Sequence, residues 1–328
     1  MSHAGATNRS AMRLPRFVRR DPAVVTAFAC IIVLLLVGSL YSKNFLSPEY
    51  LLQQLKVASF LGVIATGMML VILLGQIDLS VPWVVTSGAM MACAVASFGP
   101  AGVALSVPAG VLSGVALGLL NGVGVAYLRI PSMIITLATN AVAQGLMVVY
   151  SGGFSPRDFA SPPMRYLATG FAVPGVPNAV VVWAVIGATT IFLLSRTTFG
   201  RTIYGIGNRE RAAYLSGINT RRVVMTVFAI SGGLAAFGGV LLAGYASKAA
   251  QSMGDPYLLP AIAAVVLGGT SILGGRGGFG GTILGALILT VVTALLNSLG
   301  FKEADRLILF GLIIVLVAAA YTRVTSDT

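Results

Sequence analysis

Apolar residues come in long continuous runs along this chain, as in Ala23–Leu40 and Val57–Leu74. Strands of a membrane barrel alternate apolar and polar positions over short segments instead. A helix that crosses a bilayer needs roughly 20 predominantly apolar residues. On that rule the pattern predicts ten helices, at 23–40, 57–75, 81–98, 102–127, 131–150, 178–195, 223–243, 258–274, 279–299 and 306–321. The expected fold is all-α and polytopic. A basic tail at 1–22 would precede a transmembrane domain at 23–321, and a short tail at 322–328 would follow it.

Composition agrees. Of the 328 residues 57% are hydrophobic and 9% are charged, with a mean hydropathy of +0.93. A soluble domain carries about 25% charged residues. Too few polar groups are present to cover a surface in water, whereas lipid accepts apolar surface and restricts the backbone to helices or closed barrels.

The net charge is +12. A nucleic-acid binder of that charge needs a solvated basic face, which this chain lacks. Charge that orients the protein in its membrane is the better reading. With the N-terminus inside, 14 of the 21 Lys and Arg fall on inner segments and 7 on outer ones. That distribution predicts both termini in the cytoplasm.

Cys30 and Cys93 both sit inside apolar runs, and His3 lies in the polar tail. The cysteines read as small core residues rather than as a disulfide or metal pair. No metal site, catalytic residue or cofactor is expected.

The inner loop 196–222 carries the most information. Asn208 is a candidate N-cap, Glu210 falls in the first turn, and Gly217 can end the helix. The result would be about two turns of helix with Ala212, Ala213 and Leu215 as a small apolar surface. Such a helix either fits a groove on a cytoplasmic partner or is an incidental turn in a basic connector. The outer segments 151–177 and 244–257 are longer than a hairpin needs, and read as docking surfaces or as plain connectors.

Gly75-Gln-Ile-Asp-Leu-Ser-Val-Pro82 separates the second and third helices. Asp78 or Ser80 can cap the following helix, and Pro82 suits its first turn. Asp78 reads first as a cap and second as a solute or gating contact. The stretch Gly268–Gly281 is glycine-rich but lacks the Gly-Lys-Ser/Thr ending of a phosphate loop. A hinge beside the path and simple close packing both explain it. Asn121, Thr136, Thr139, Asn140, Gln144, Thr270 and Asn297 place neutral polar groups within the predicted helices. Together they suit a solute rich in hydroxyls. Singly, each also suits a hydrogen bond between helices.

Six motifs now appear in order. They are Gly75-Gln-Ile-Asp-Leu-Ser-Val81, Asn121–Pro131, Ile134–Thr139, Thr198–Gly207, Ala212-Ala-Tyr-Leu-Ser-Gly-Ile218 and Gly268–Gly277. Across residues 25–321 they resemble the ribose/xylose-type permeases of bacterial ABC importers. The resemblance implies a second permease subunit, a cytoplasmic ATPase that supplies energy, and a periplasmic solute-binding protein. It also implies that the loop around Arg209, Glu210, Ala212, Ala213, Leu215 and Gly217 contacts the ATPase. Arg211 stands where that motif usually has Glu, and Gln76 and Pro82 replace two glycines of the first motif. Asp78, Asn121, Thr136, Asn140, Gln144 and Asn297 are the candidate path residues, with membrane lipid around them. The competing readings are a branched-chain amino-acid permease of the same kind and an ion-coupled secondary transporter. The latter would want an ionisable relay within the membrane, and Asp78 is the only acid near one.

Overall fold

The computed structural model describes residues 22–41, 43–152 and 159–326. The expected basic tail other than Pro22, and Gly153, Pro156 and Arg157 of the long outer segment, lie outside them.

Each predicted apolar stretch lies on a helix. In chain order the helices are α1 (Pro22–Tyr41), α2 (Pro48–Leu73), α3 (Val81–Ala96), α4 (Gly99–Ala126), α5 (Ser132–Tyr150), α6 (Pro162–Thr169), α7 (Asn178–Arg196), α8 (Thr198–Leu215), α9 (Thr220–Ala246), α10 (Leu258–Leu267), α11 (Phe279–Ser298) and α12 (Glu303–Ser326). Among the described residues there is no strand, only two isolated bridges. Six helices are long and apolar enough to cross a membrane: α2, α4, α5, α7, α9 and α11. Phe28–Tyr41, α3 and Asp255–Leu267 are shorter apolar helices.

Boundaries moved where turn chemistry outweighs hydropathy. Helix α2 begins at Pro48, because Ser47 accepts a hydrogen bond from the Tyr50 amide and Pro48 suits the first turn. Lys56, expected in an outer segment, therefore sits within α2, 5.2 Å from the centre of the Tyr245 ring. Helix α10 stops at Leu267 rather than 274. Gly269 has φ +86°, and the amides of Gly269 and Thr270 turn back to the carbonyls of Val266 and Val265. That left-handed ending suits glycine. The outer segment 151–177 contains α6, whose Met164 and Ala168 are fully buried. It is packed down rather than standing free.

Helix α2 is the centre of the bundle. It runs antiparallel to α9, with Gln53 beside Tyr245, Ile64 beside Gly238 and Gly67 beside Ser231. Around this pair the contacts repeat. Helix α3 packs on α9 as α10 packs on α2, α4 on α9 as α11 on α2, and α5 on α3 as α12 on α10. Two four-helix halves, α2–α5 and α9–α12, thus enclose one core.

The tightest seam joins α4 to α9. Gly102, Ser106, Gly110, Gly114, Gly118 and Gly122 recur every four residues on the buried face of α4. A Cβ on Gly114 would collide with the Gly232 carbonyl, and one on Gly118 with the Phe228 carbonyl. In lipid no hydrophobic force drives helices together, so close van der Waals packing has to do it, and small residues permit that. The opposite faces carry exposed Leu105, Leu112 and Leu119 on α4 and Ile134, Leu137 and Leu146 on α5, a surface suited to lipid.

Gly114→Ile is expected to force α4 off α9 and destabilise the protein by at least the roughly 1–3 kcal/mol of an overpacked core. Thermal unfolding of the purified protein in detergent measures the loss.

Candidate functional site

Helix α2 ends at Gly75, φ +74°, where the Gly75 and Gln76 amides return to Ile72 and Val71. The next five residues, 76–80, are not helical, and their amides need other acceptors. Helix α5 supplies them. The Ile77 amide donates to Ser132 Oγ at 3.2 Å, the Leu79 amide to Thr136 Oγ1 at 3.0 Å, and the Trp83 amide to Asn140 Oδ1 at 3.3 Å. Positions 132, 136 and 140 lie four apart and so share one face of α5.

Asp78 is buried at the middle of this break. Its Oδ1 accepts from the Ser80 amide at 2.9 Å and the Ser80 hydroxyl at 2.5 Å. Ser80 in turn accepts from Asn121 Nδ2 at 2.8 Å. The expected local cap differs from what forms. Ser80 occupies the N-cap position of α3, yet its hydroxyl bonds Asp78 and makes no cap hydrogen bond. The first turn is completed from α5 by Asn140 and by Pro82, which has no amide proton to satisfy.

Four of the six candidate path residues, Asp78, Asn121, Thr136 and Asn140, therefore belong to one network around the break. Gln144 lies further along α5, exposed. Asn297 lies elsewhere, in the wall of a cavity of about 680 Å³ between the start of α2, the ends of α9 and α11, and the starts of α10 and α12. Thr139 and Thr270 are buried with unpartnered hydroxyls. The sequence pattern missed Ser132 altogether; its spacing of four from Thr136 was the available signal.

The loop helix is longer than expected. Helix α8 starts at Thr198, capped by Thr197, whose Oγ1 accepts from the Gly200 amide at 3.2 Å. Asn208 is not its cap. The break comes one residue later, at Arg209, whose extended backbone (φ −156°, ψ 98°) divides α8 in two. Gly217, φ +83°, ends it as expected. The Gly217 amide donates to the Tyr214 carbonyl and the Ile218 amide to that of Ala213.

After the kink, Ala213 is buried, while Ala212, Tyr214 and Leu215 are exposed. Glu210 is engaged within the chain by Arg129 Nη1 at 2.8 Å. Both partners are half exposed, so the pair adds under about 1 kcal/mol. An open groove runs from Tyr214 to Arg221.

Before the kink, α8 reaches both breaks in the bundle. A Cβ on Gly207 would strike the Leu73 carbonyl at the end of α2. That carbonyl accepts from the Gly275 amide at 3.0 Å. Tyr204 donates its hydroxyl to the Gly277 carbonyl at 2.9 Å, and burial pushes its phenol above the ordinary value, which keeps the donor protonated.

Such a bundle, broken at two places that both touch one connecting helix, is the framework of a multi-pass membrane transport subunit. Residues 50–318 match the family described as "Branched-chain amino acid transport system / permease component", and the chain belongs to that family. It is 36% identical to the ribose import permease protein RbsC of Haemophilus influenzae, over 90% of this chain and 91% of that one. It is also 36% identical to the RbsC of Bacillus subtilis (90% and 91%) and to the probable ABC transporter permease protein YphD of Escherichia coli K12 (95% and 93%). No solved structure matches the chain. The protein is thus a multi-pass inner-membrane permease component, a transport subunit rather than an enzyme.

Thr136→Val removes the acceptor of a partly buried amide. It is expected to cost about 1–3 kcal/mol, read as a fall in thermal stability, whereas Thr139→Val, at a hydroxyl with no partner, is expected to cost less.

Proposed function

We propose that this chain is the membrane-spanning subunit of an ABC importer for a monosaccharide or sugar-like solute. The observation that carries the reading is the placement of α8. It ends in exposed Tyr214 and Leu215 and, before its kink, bears directly on Leu73 and on the glycine-rich segment 268–277. An exposed apolar end supports a protein partner, and the contacts behind it supply a route into the bundle.

In this reading ten helices (α1–α5, α7 and α9–α12) span the membrane, with both termini in the cytoplasm. Helix α8 is the cytoplasmic coupling element. A nucleotide-hydrolysing partner holds Arg209, Ala212, Leu215 and Gly217, while Ala213 and Glu210 fix the helix to its own chain. A second permease subunit completes the path, and a periplasmic binding protein delivers the solute. Closure of the ATPase moves α8 against Leu73, which tilts α2 and shifts the break that follows it; the side open to the path then changes. Asp78, Asn121, Thr136 and Asn140 hold the break in shape beside the path. Gln144 and Asn297 are left free to meet solute.

Sugar is favoured over a branched-chain amino acid by the ribose permeases that align over nearly the whole chain. An ion-coupled mechanism is disfavoured because Asp78 is the one buried acid among the described residues and a relay needs several. Proteoliposomes holding the subunit with its ATPase and binding protein should take up labelled D-ribose or a related sugar only with ATP. Concentration of solute by the chain alone on a proton or sodium gradient would overturn the reading.

Gly217→Asp is expected to abolish ATP-driven uptake while membrane insertion stays normal. Open space surrounds that position, so the effect arises from charge at the docking surface and the left-handed backbone rather than from a clash. Uptake in vesicles alongside the amount of inserted protein separates the two.

A further inference from the structure

The two halves of the bundle share a short repeat. Gly118-Leu-Leu-Asn-Gly-Val-Gly124 near the end of α4 matches Ala294-Leu-Leu-Asn-Ser-Leu-Gly300 at the end of α11. The repeat places Asn121 and Asn297 at corresponding sites, and each lies by the connection that leads into the short second helix of its half, α3 or α10. Their surroundings differ. Asn121 is fully buried and gives its amide nitrogen to Ser80, while its Oδ1 has no partner. Asn297 is exposed to the cavity and its side chain has no hydrogen bond.

Two charged groups of the cavity wall are similarly unspent. Arg306, in the first turn of α12, has a buried Nε without a partner, and its side chain makes no ion pair. Glu303, one turn earlier, also has no side-chain partner. Tyr50, Tyr245 and Tyr257 supply aromatic walls, and Gln53 Nε2 donates to the Tyr245 hydroxyl at 2.9 Å, which fixes that wall in place. By contrast, Thr290, Thr293 and Ser298 return their hydroxyls to their own helix. A buried guanidinium nitrogen without a partner calls for an acceptor.

We infer that this cavity, within one subunit, is a binding site for a neutral solute with adjacent hydroxyls. The guanidinium fork of Arg306 can donate to two neighbouring oxygens at once. The Asn297 amide can both donate and accept. Tyrosine faces cover the apolar side of the solute, and the volume lies in the range of small-molecule pockets, about 300–1,000 Å³. Glu303 offsets the charge of Arg306, so a net ion is not favoured. The first half of the bundle fills the corresponding place with its own Ser80 and Asp78; the second half leaves it for a ligand. This inference rests on the reading of the chain as a sugar permease.

The test uses Asn297→Cys in a Cys30→Ser background, in right-side-out membrane vesicles. A membrane-impermeant thiol reagent labels the new cysteine with D-ribose, L-leucine or neither present. Ribose at twice its Kd should slow labelling about threefold, the factor 1 + [L]/Kd; leucine should not. Adding Arg306→Met should remove the protection, and Phe171→Cys, exposed outside the cavity, should label at one rate throughout. If Asn297→Cys fails to insert, Gln54→Cys in the same wall gives the same readout. Unchanged labelling in vesicles that still import ribose with ATP would overturn the cavity site and leave the sugar reading standing. Protection by leucine and not by ribose would overturn both.

Discussion

A backbone amide inside a membrane bundle has no water to turn to, and an unpaired one costs several kcal/mol. This constraint governs the interior of the molecule. Between Leu74 and Val81 the chain leaves the helix, and the amides of Ile77, Leu79 and Ser80 lose their helical acceptors. Ser132, Thr136 and Asp78 replace them, and Asn140 takes the Trp83 amide in the first turn of α3. Helix α5 is thereby fixed in register against the break, with its polar face inward and its leucines outward.

The glycine seam between α4 and α9 does complementary work. It lets two backbones meet without intervening side chains, so the frame around the breaks is stiff. Against that frame α8 is seated by Ile203 and Ile206, both buried in the core, and it meets the two breaks at Gly207 on Leu73 and at Tyr204 on Gly277. The contact through Gly207 transmits displacement directly because backbone presses on backbone. A stiff frame with a connecting helix in direct contact with both breaks suits the coupling role proposed for α8.

The two halves are alike in packing and unlike in polarity. One uses Ser132, Thr136, Asn140 and Asp78 to hold its own backbone; the other presents Asn297, Glu303 and Arg306 to an open volume. A duplicated architecture can thus supply structural rigidity in one copy and a place for ligand in the other.

Much of this was legible in the residues. The apolar runs located the membrane helices, because a bilayer demands about 20 such residues whatever their neighbours. Gly217 announced a helix end, because few other residues adopt φ near +83° without strain. The break at Gly75 and the candidate polar residues were likewise visible. Their partners were not. Whether Thr136 would meet a solute or the Leu79 amide depends on a contact across 57 residues, and Asn121 and Asn297 sit in the same short motif with opposite surroundings. Local sequence sets what a residue is able to bond. Only the packed bundle sets which group lies within reach, since that depends on how distant helices cross.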